Sequence, residues 1–417
     1  MQTQQAFVRF LRLIMIVVVS GVFAAIAIVI VIDPYRLYRI VEIAGINRIK
    51  PQPDRYQEEI KLSNARQLKA TALIFGNSRA EYGLNPDYEG FAKAGLSGYN
   101  MALSGTKMGT TKRDLAYLRS IGQKPEFIIL GVDFLDYLVD ASKPPLPSTP
   151  ASKVIDNPHD VTGIKWQFDA LFSLTSVSDA IKTIRIQKNT EAETISSRGL
   201  NPLHEYEKFA REEGYYAIFQ QRALEYAKTF SHKPHDLRYP QTDSSPELDG
   251  LRATLAMIAA DNSEAHIIIY PYHAQILAIF DQVGLLPAFE AWKKILLTEV
   301  NAANKAYPNA QLKLWDFSGY GAAQCEVIPA KGDTQSTTKW YWEAGHFKQS
   351  LGDVILGRLL EKRTHRIAED TFGTQLREEN FLENQIRIQT EKVACSRTYP
   401  LVFTQAETLA AKELKKK

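Results

Sequence analysis

The residues Ala72-Leu73-Ile74-Phe75-Gly76-Asn77-Ser78-Arg79 join an apolar run of strand length to a glycine, and then to a serine that opens a polar segment. An apolar run bounded by Gly and Asn reads as a buried strand ending in a turn. Further runs share the pattern: Tyr99–Leu103, Phe127–Val132, Ile267–Tyr270 and Leu312–Phe317. Amphipathic segments lie among them, Lys112–Ile121 with Leu115 and Leu118 as its apolar positions, and Pro287–Ala303. Strands alternating with helices predict an α/β fold, a mostly parallel sheet covered on both faces. Such sheets bind ligands outside the carboxyl ends of their strands. Ser78 follows the first strand and Asp133 the third, so both fall on that edge. His346 stands where a loop enters a last helical pattern carrying Phe347, Leu351, Val354, Ile355 and Leu359.

With 417 residues, 45% hydrophobic and 23% charged, the chain can build a substantial core, which excludes global disorder. A net charge of +3, without a basic stripe interleaved with aromatics, is too mild to argue for nucleic acid, and no nucleic-acid partner is expected. Lys412, Lys415, Lys416 and Lys417 read as a solvated tail. Leu13 to Ile32 departs from the soluble average: it carries no charge and, at ~1.5 Å per residue, spans a bilayer core of about 30 Å. A cleaved signal peptide has a shorter apolar segment and a small-residue cleavage site, whereas this run ends at Asp33-Pro34-Tyr35-Arg36. Residues 1–34 are therefore expected to be an uncleaved single anchor. Arg9 and Arg12 before it, and Arg36, Arg39, Arg48 and Lys50 after it, leave the positive-inside count undecided.

Residues 35–70 are polar and read as a linker with a leading helix over Tyr56–Lys69. The α/β core is expected at 71–133 and 266–362. Residues 134–265 interrupt the alternation and are too long for a simple loop. They begin with the four-proline run Lys143–Pro150 and continue into helical stretches at Lys165–Phe172, Glu205–Phe230 and Pro246–Ala260, the last capped by Ser245. This is expected to be a helical insertion packed over the site edge. Its aromatics Tyr206, Phe209, Tyr215, Tyr216, Phe219 and Tyr226 read as packing before they read as a sugar-stacking surface. Residues 363–417 form a C-terminal extension without a chemical motif. Cys325 and Cys395 can form one bridge in an oxidising compartment or remain two thiols. No zinc spacing is present, and His232 with His235 reads as surface histidines; the chemistry calls for no metal and no cofactor.

A serine hydroxyl is a poor nucleophile unless an imidazole takes its proton and a third group orients that imidazole. Ser78, with Glu343-Ala344-Gly345-His346 far downstream, presents all the residue types needed. Singly each has a structural role, Ser78 as a helix cap and His346 as a partly buried histidine. Together they fit a triad, because a carboxylate three positions before a histidine can reach back to Nδ1 and leave Nε2 free to accept the serine proton.

These blocks have a familiar order. Gly76-Asn77-Ser78 after one strand, Asn100 with Ser104-Gly105 after the next, Gly131-Val132-Asp133 after the third and Glu343-Ala344-Gly345-His346 near the end resemble the SGNH, or GDSL-like, hydrolase superfamily. More narrowly the chain is similar to membrane-anchored SGNH-like proteins of bacterial envelope polysaccharide modification, such as the alginate O-acetyltransferase proteins. The resemblance covers the anchor and the core. It implies a flavodoxin-like domain in the periplasm, held by a single pass through the inner membrane. It further implies Ser78 as nucleophile, His346 as base, Glu343 as the orienting acid, and the N–H groups of Ser78 and Gly105 as oxyanion donors.

The chain departs from that pattern at Asn77, where Asp is common, at Glu343, where Asp is commoner, and at Asp133, where an oxyanion Asn would stand. An ionised carboxylate cannot donate to an oxyanion. Asp133 must therefore be protonated, turned away or engaged with a cation such as Arg79, with Asn100 as a substitute donor. His273, after the fourth strand, is a candidate substrate contact.

The function expected is an acyl, and in particular acetyl, transferase or esterase acting on envelope glycans through an acyl-serine. A multi-spanning membrane protein that delivers the acyl group is a partner the resemblance allows. The competing expectations are a non-catalytic module that binds polysaccharide or an export partner, and a lipase-like esterase acting on membrane lipids.

Overall fold

The computed structural model describes residues 2–145, 164–364 and 372–416. Strand β1 is Ala72–Phe75, β2 Gly98–Asn100, β3 Phe127–Val132, β4 Glu264–Ile269, β5 Gln311–Asp316 and β6 Thr374–Leu376. They lie in the order β2-β1-β3-β4-β5-β6. The first five are parallel, with Ala72 opposite both Gly98 and Phe127, Phe127 opposite Glu264, and Glu264 opposite Gln311. The added β6 runs antiparallel to β5, pairing Leu376 with Leu314. Every side chain of β1 and β3 is buried, as expected of a sheet covered on both faces. All five predicted strands are present, within a few residues of their expected ends. β6 had no apolar run to announce it.

Helix α1, Gln2–Ile32, is long and apolar enough to cross a membrane, and its side chains are exposed along most of its length until Val29 and Ile32. The segment that follows is not the linker expected. Asp33, Tyr35 and Arg36 are buried, and the Asp33 carboxylate accepts the backbone N–H groups of Leu37, Tyr38 and Arg39. Asn47 Nδ2 donates to the carbonyls of Val31 and Ile32, and Lys50 Nζ donates to Ile32 at 2.6 Å. The last carbonyls of a helix have no intrahelical partner, so these two side chains tie the end of α1 directly into the folded body. Helix α2, Gln57–Gln67, follows as predicted.

Helix α3, Ser78–Gly83, leaves β1, and α4, Met108–Ser120, leads to β3. Phe134 and Tyr137, after β3, are buried in the main core, so the insertion starts later than expected. The four-proline run lies largely outside the described residues. Helices α5, Ile164–Phe172, and α6, Leu174–Ile186, pack against the end of α1 and not over the site edge. Helix α7, His204–Ser231, does reach the site. Helix α8, Pro246–Ala260, packs between α4 and α10, Leu286–Ala306, and so belongs to the core. It begins at Ser245-Pro246 as expected, though the Ser245 side chain makes no capping bond. Helix α9, Ala274–Gln282, follows β4, and α11, Gln349–Thr364, packs against α3.

The C-terminal extension adds β6 and helices α12, Phe381–Thr398, and α13, Pro400–Leu414; α13 packs on α9 and α7. A disulfide between Cys325 and Cys395 fixes α12 to the loop after β5. Because it closes a loop of 70 residues, replacing both cysteines by alanine is expected to destabilise the fold by about 2–4 kcal/mol. Denaturant unfolding in detergent reads this, and a midpoint unmoved by substitution or by reductant would contradict it.

Candidate active site

The turn after β1 depends on Gly76, whose φ of +149° suits glycine alone and whose Cβ would collide with the Tyr270 hydroxyl. Asn77 then caps α3, its side chain accepting the Arg79 N–H at 3.1 Å. Ser78 is the first residue of α3, so its own N–H has no acceptor within the helix. Its hydroxyl points to a second element, a short hairpin pairing Tyr341–Glu343 with His346–Phe347.

Across 268 positions of sequence, Ser78 Oγ lies 2.7 Å from His346 Nε2. The other ring nitrogen, Nδ1, is hydrogen-bonded to Glu343 Oε1. A carboxylate only accepts, so Nδ1 carries the proton and Nε2 is left to accept from the serine hydroxyl. Glu343 is 1% exposed; its Oε2 accepts the Gly345 N–H at 2.5 Å, and Arg222 Nε stands 3.3 Å from Oε1. Burial alone would raise the Glu343 carboxyl, but His346, followed by Arg222 and the Gly345 N–H, holds it down at about 2. Burial lowers the His346 pKa from its ordinary value, against the opposing pull of Glu343. The Tyr82 ring lies 5.1 Å from the imidazole.

The remaining predicted residues divide sharply. Gly105, at φ +71°, has open space where a Cβ would project. The loop before it is pinned from several sides. Leu103 N–H donates to Gly76 O at 3.1 Å, and the Ser104 N–H and hydroxyl both donate to Glu81, at 2.8 and 2.6 Å. Glu81 is itself buried against Lys61 at 3.0 Å. Asp133 is engaged with Arg79, the third of the arrangements considered for it. Its Oδ2 takes Arg79 Nη1 and Asn77 Nδ2, and its Oδ1 takes the Tyr272 hydroxyl and the Leu135 N–H. Asp133 and Arg79 thus form a buried pair beneath the serine turn and do not line an open site.

Two expectations are corrected outright. Asn100 cannot serve as a substitute oxyanion donor, because both its amide hydrogens are committed to the carbonyls of Ala80 and Leu84, at 2.8 and 2.9 Å. His273 is 0% exposed and is no substrate contact. Its Nδ1 caps α9 by accepting the Gln275 N–H, its Nε2 donates to Glu326 O at 2.9 Å, and burial pushes its pKa down to about 4.

Neither a family model nor a curated protein matches the chain. The site's own geometry adds residues to which the sequence assigned no part in the triad. Arg222 and Tyr226, one turn apart on α7, both reach the site: Arg222 to Glu343, and Tyr226 OH to Arg79 Nη2 at 3.0 Å. With Tyr206, Phe209 and Glu343, Arg222 also lines a cavity of about 260 Å³ behind the acid. Their only sequence signal was the aromatic-rich pattern of this helix, which reads first as packing. Packing is the role of Tyr215 and Phe219, both buried in the core.

Proposed function

We propose that this chain is a membrane-anchored, serine-dependent acyltransferase or esterase of the SGNH-like type, working on envelope glycans through an acyl-serine. The observation that carries the reading is the relay from Ser78 Oγ through both nitrogens of His346 to Glu343. The strand order 2-1-3-4-5, as in flavodoxin-like folds, supports the class, and the site lies beside the β1/β3 switch point as that order requires. The apolar α1 and the disulfide support a domain held outside the cytoplasm in an oxidising compartment.

In the forward step Ser78 Oγ attacks the acyl carbonyl while its proton passes to His346 Nε2. The tetrahedral oxyanion is received by the N–H groups of Ser78 and Gly105. The leaving group departs with the proton from His346, and an ester to Ser78 remains. A glycan hydroxyl, or water, then gives its proton to His346 and attacks that ester, releasing the acylated glycan or the free acid and restoring the serine. Asp133 donates nothing here. Its charge is balanced by Arg79, so the oxyanion hole of this chain rests on backbone donors alone.

A fluorophosphonate probe tests the reading directly. Covalent labelling at Ser78, lost when the protein is unfolded, is the expected result; a native protein that takes no label would overturn it. The pH profile adds a second test. His346 accepts a proton only when neutral, so acetyl-ester cleavage is expected to be flat through neutral pH and to fall through a limb below pH 6.5. The Arg222 guanidinium lowers both the Glu343 and His346 pKa values. Arg222→Ala is therefore expected to move that limb upward and to reduce the rate about tenfold, the loss of one close ion pair at about 1.4 kcal/mol. An unshifted limb would remove Arg222 from the relay.

A further inference from the structure

The exit of α1 from its apolar span is ringed by side chains that a soluble domain would bury. Leu174 is 90% exposed and Ile40 66%, and Phe168, Phe172, Ile181 and Ile184 are all more than two-fifths exposed. They come from two segments, the loop 40–49 and the helices α5 and α6, and both are built onto the end of α1. Val29 and Ile32 pack against Ala180, Leu171 and Val177. Asn47 binds the last carbonyls of α1, Tyr35 OH donates to Asp179 at 2.5 Å, and Gln187 Nε2 donates to Ile49 O at 2.7 Å, joining loop to helix.

Singly exposed apolar side chains are ordinary; a group of them gathered at the end of a helix whose last twenty residues carry no charge is not. On α6, Val177 and Ala180 pack against the anchor while Leu174, Ile181 and Ile184, on the flank of the helix that adjoins them, are exposed, with Lys182 and Arg185 interleaved in sequence. Arg48 in the loop and Lys188 just beyond the helix are exposed beside them. Apolar side chains flanked by basic ones are the pattern of elements that lie in the headgroup region of a bilayer.

We infer that this collar is a second membrane contact. The loop 40–49 and the helix pair α5–α6 sink into the boundary between headgroups and acyl chains around α1, with the basic side chains at the lipid phosphates. The collar rests on α1 spanning the bilayer and is independent of the serine chemistry. It fixes the angle at which the catalytic edge stands over the membrane, which a flexible tether would leave free.

The test uses the full chain in lipid nanodiscs at a single copy per disc. The native cysteines are paired, so an environment-sensitive fluorophore can be placed on Leu174→Cys or Ile46→Cys. The control is Gln389→Cys, exposed on α12 beside β6, at the sheet edge opposite β2. These are surface positions, and an unchanged denaturation midpoint shows that each variant is folded. Nitroxide-bearing lipids are expected to quench the collar probes roughly threefold or more above the Gln389 probe, with blue-shifted emission. Collar probes that behave like the Gln389 probe would overturn the inference. So would shielding that appears only when several copies share a disc, since the surface would then belong to a second copy of the chain.

Discussion

Ser78→Ala is expected to abolish fluorophosphonate labelling and to lower acetyl-ester cleavage by on the order of 10⁴-fold or more, leaving only what the oxyanion donors and binding supply. The size of the loss follows from how the relay is built. Among the described residues Ser78 is the hydroxyl bonded to His346 Nε2, and Glu343 holds His346 in the tautomer that faces it. In the cell, acetyl content of the surface polysaccharide is expected to fall with it. The substitution removes one hydroxyl at a half-buried position and leaves the fold intact, so unchanged cleavage and unchanged acetylation together would end the acyl-serine mechanism.

Gly352→Ala is expected to damage the same relay from a distance. Gly352 lies in the first turn of α11, just past His346, and a Cβ there would fall far inside contact distance of the Gly83 carbonyl oxygen, at the end of α3. The obstacle is backbone, so the two helices must part. Ser78 opens one of them and His346 leads into the other, and a shift on the order of 1 Å in such a pair typically costs about a hundredfold in rate. The overpacked contact is expected to cost about 1–3 kcal/mol of stability as well. Probe-labelling rate and denaturation midpoint measure the two effects. A folded variant that labels at the native rate would show that this crossing does not set the serine–histidine separation.

The α/β class and the carboxyl-edge position of Ser78 were legible because buried parallel strands leave unbroken apolar runs, as Ala72–Phe75 and Phe127–Val132 do. The Ser78, His346 and Glu343 grouping was legible only as a combination, because each residue alone has a structural role while the three together, with the acid three positions before the histidine, fit a triad. What was not legible is contact made by polar side chains between distant elements. Nothing in Asn47 or Lys50 announces that they cap α1, and the polar composition of their segment suggested a linker instead. Arg222 reads as a surface arginine until α7 is placed. Asn100 and His273 looked like chemistry because of their places at strand ends, but the backbone of the helices there also needs side-chain partners, α3 from Asn100 and α9 from His273. That is how both are used.

The separation of Ser78 and His346 by 268 positions has a consequence in time. At ordinary rates of synthesis, on the order of tens of seconds pass between the emergence of the serine and of its base. Throughout that interval Ser78 is an inert hydroxyl. The relay closes only after β5 has joined the sheet and the hairpin at Glu343 has folded back, one of the longest-range contacts in the chain and so among the slowest to form. On the proposed mechanism the serine is thus activated by the completion of folding itself, and a chain truncated before residue 343 lacks both its acid and its base.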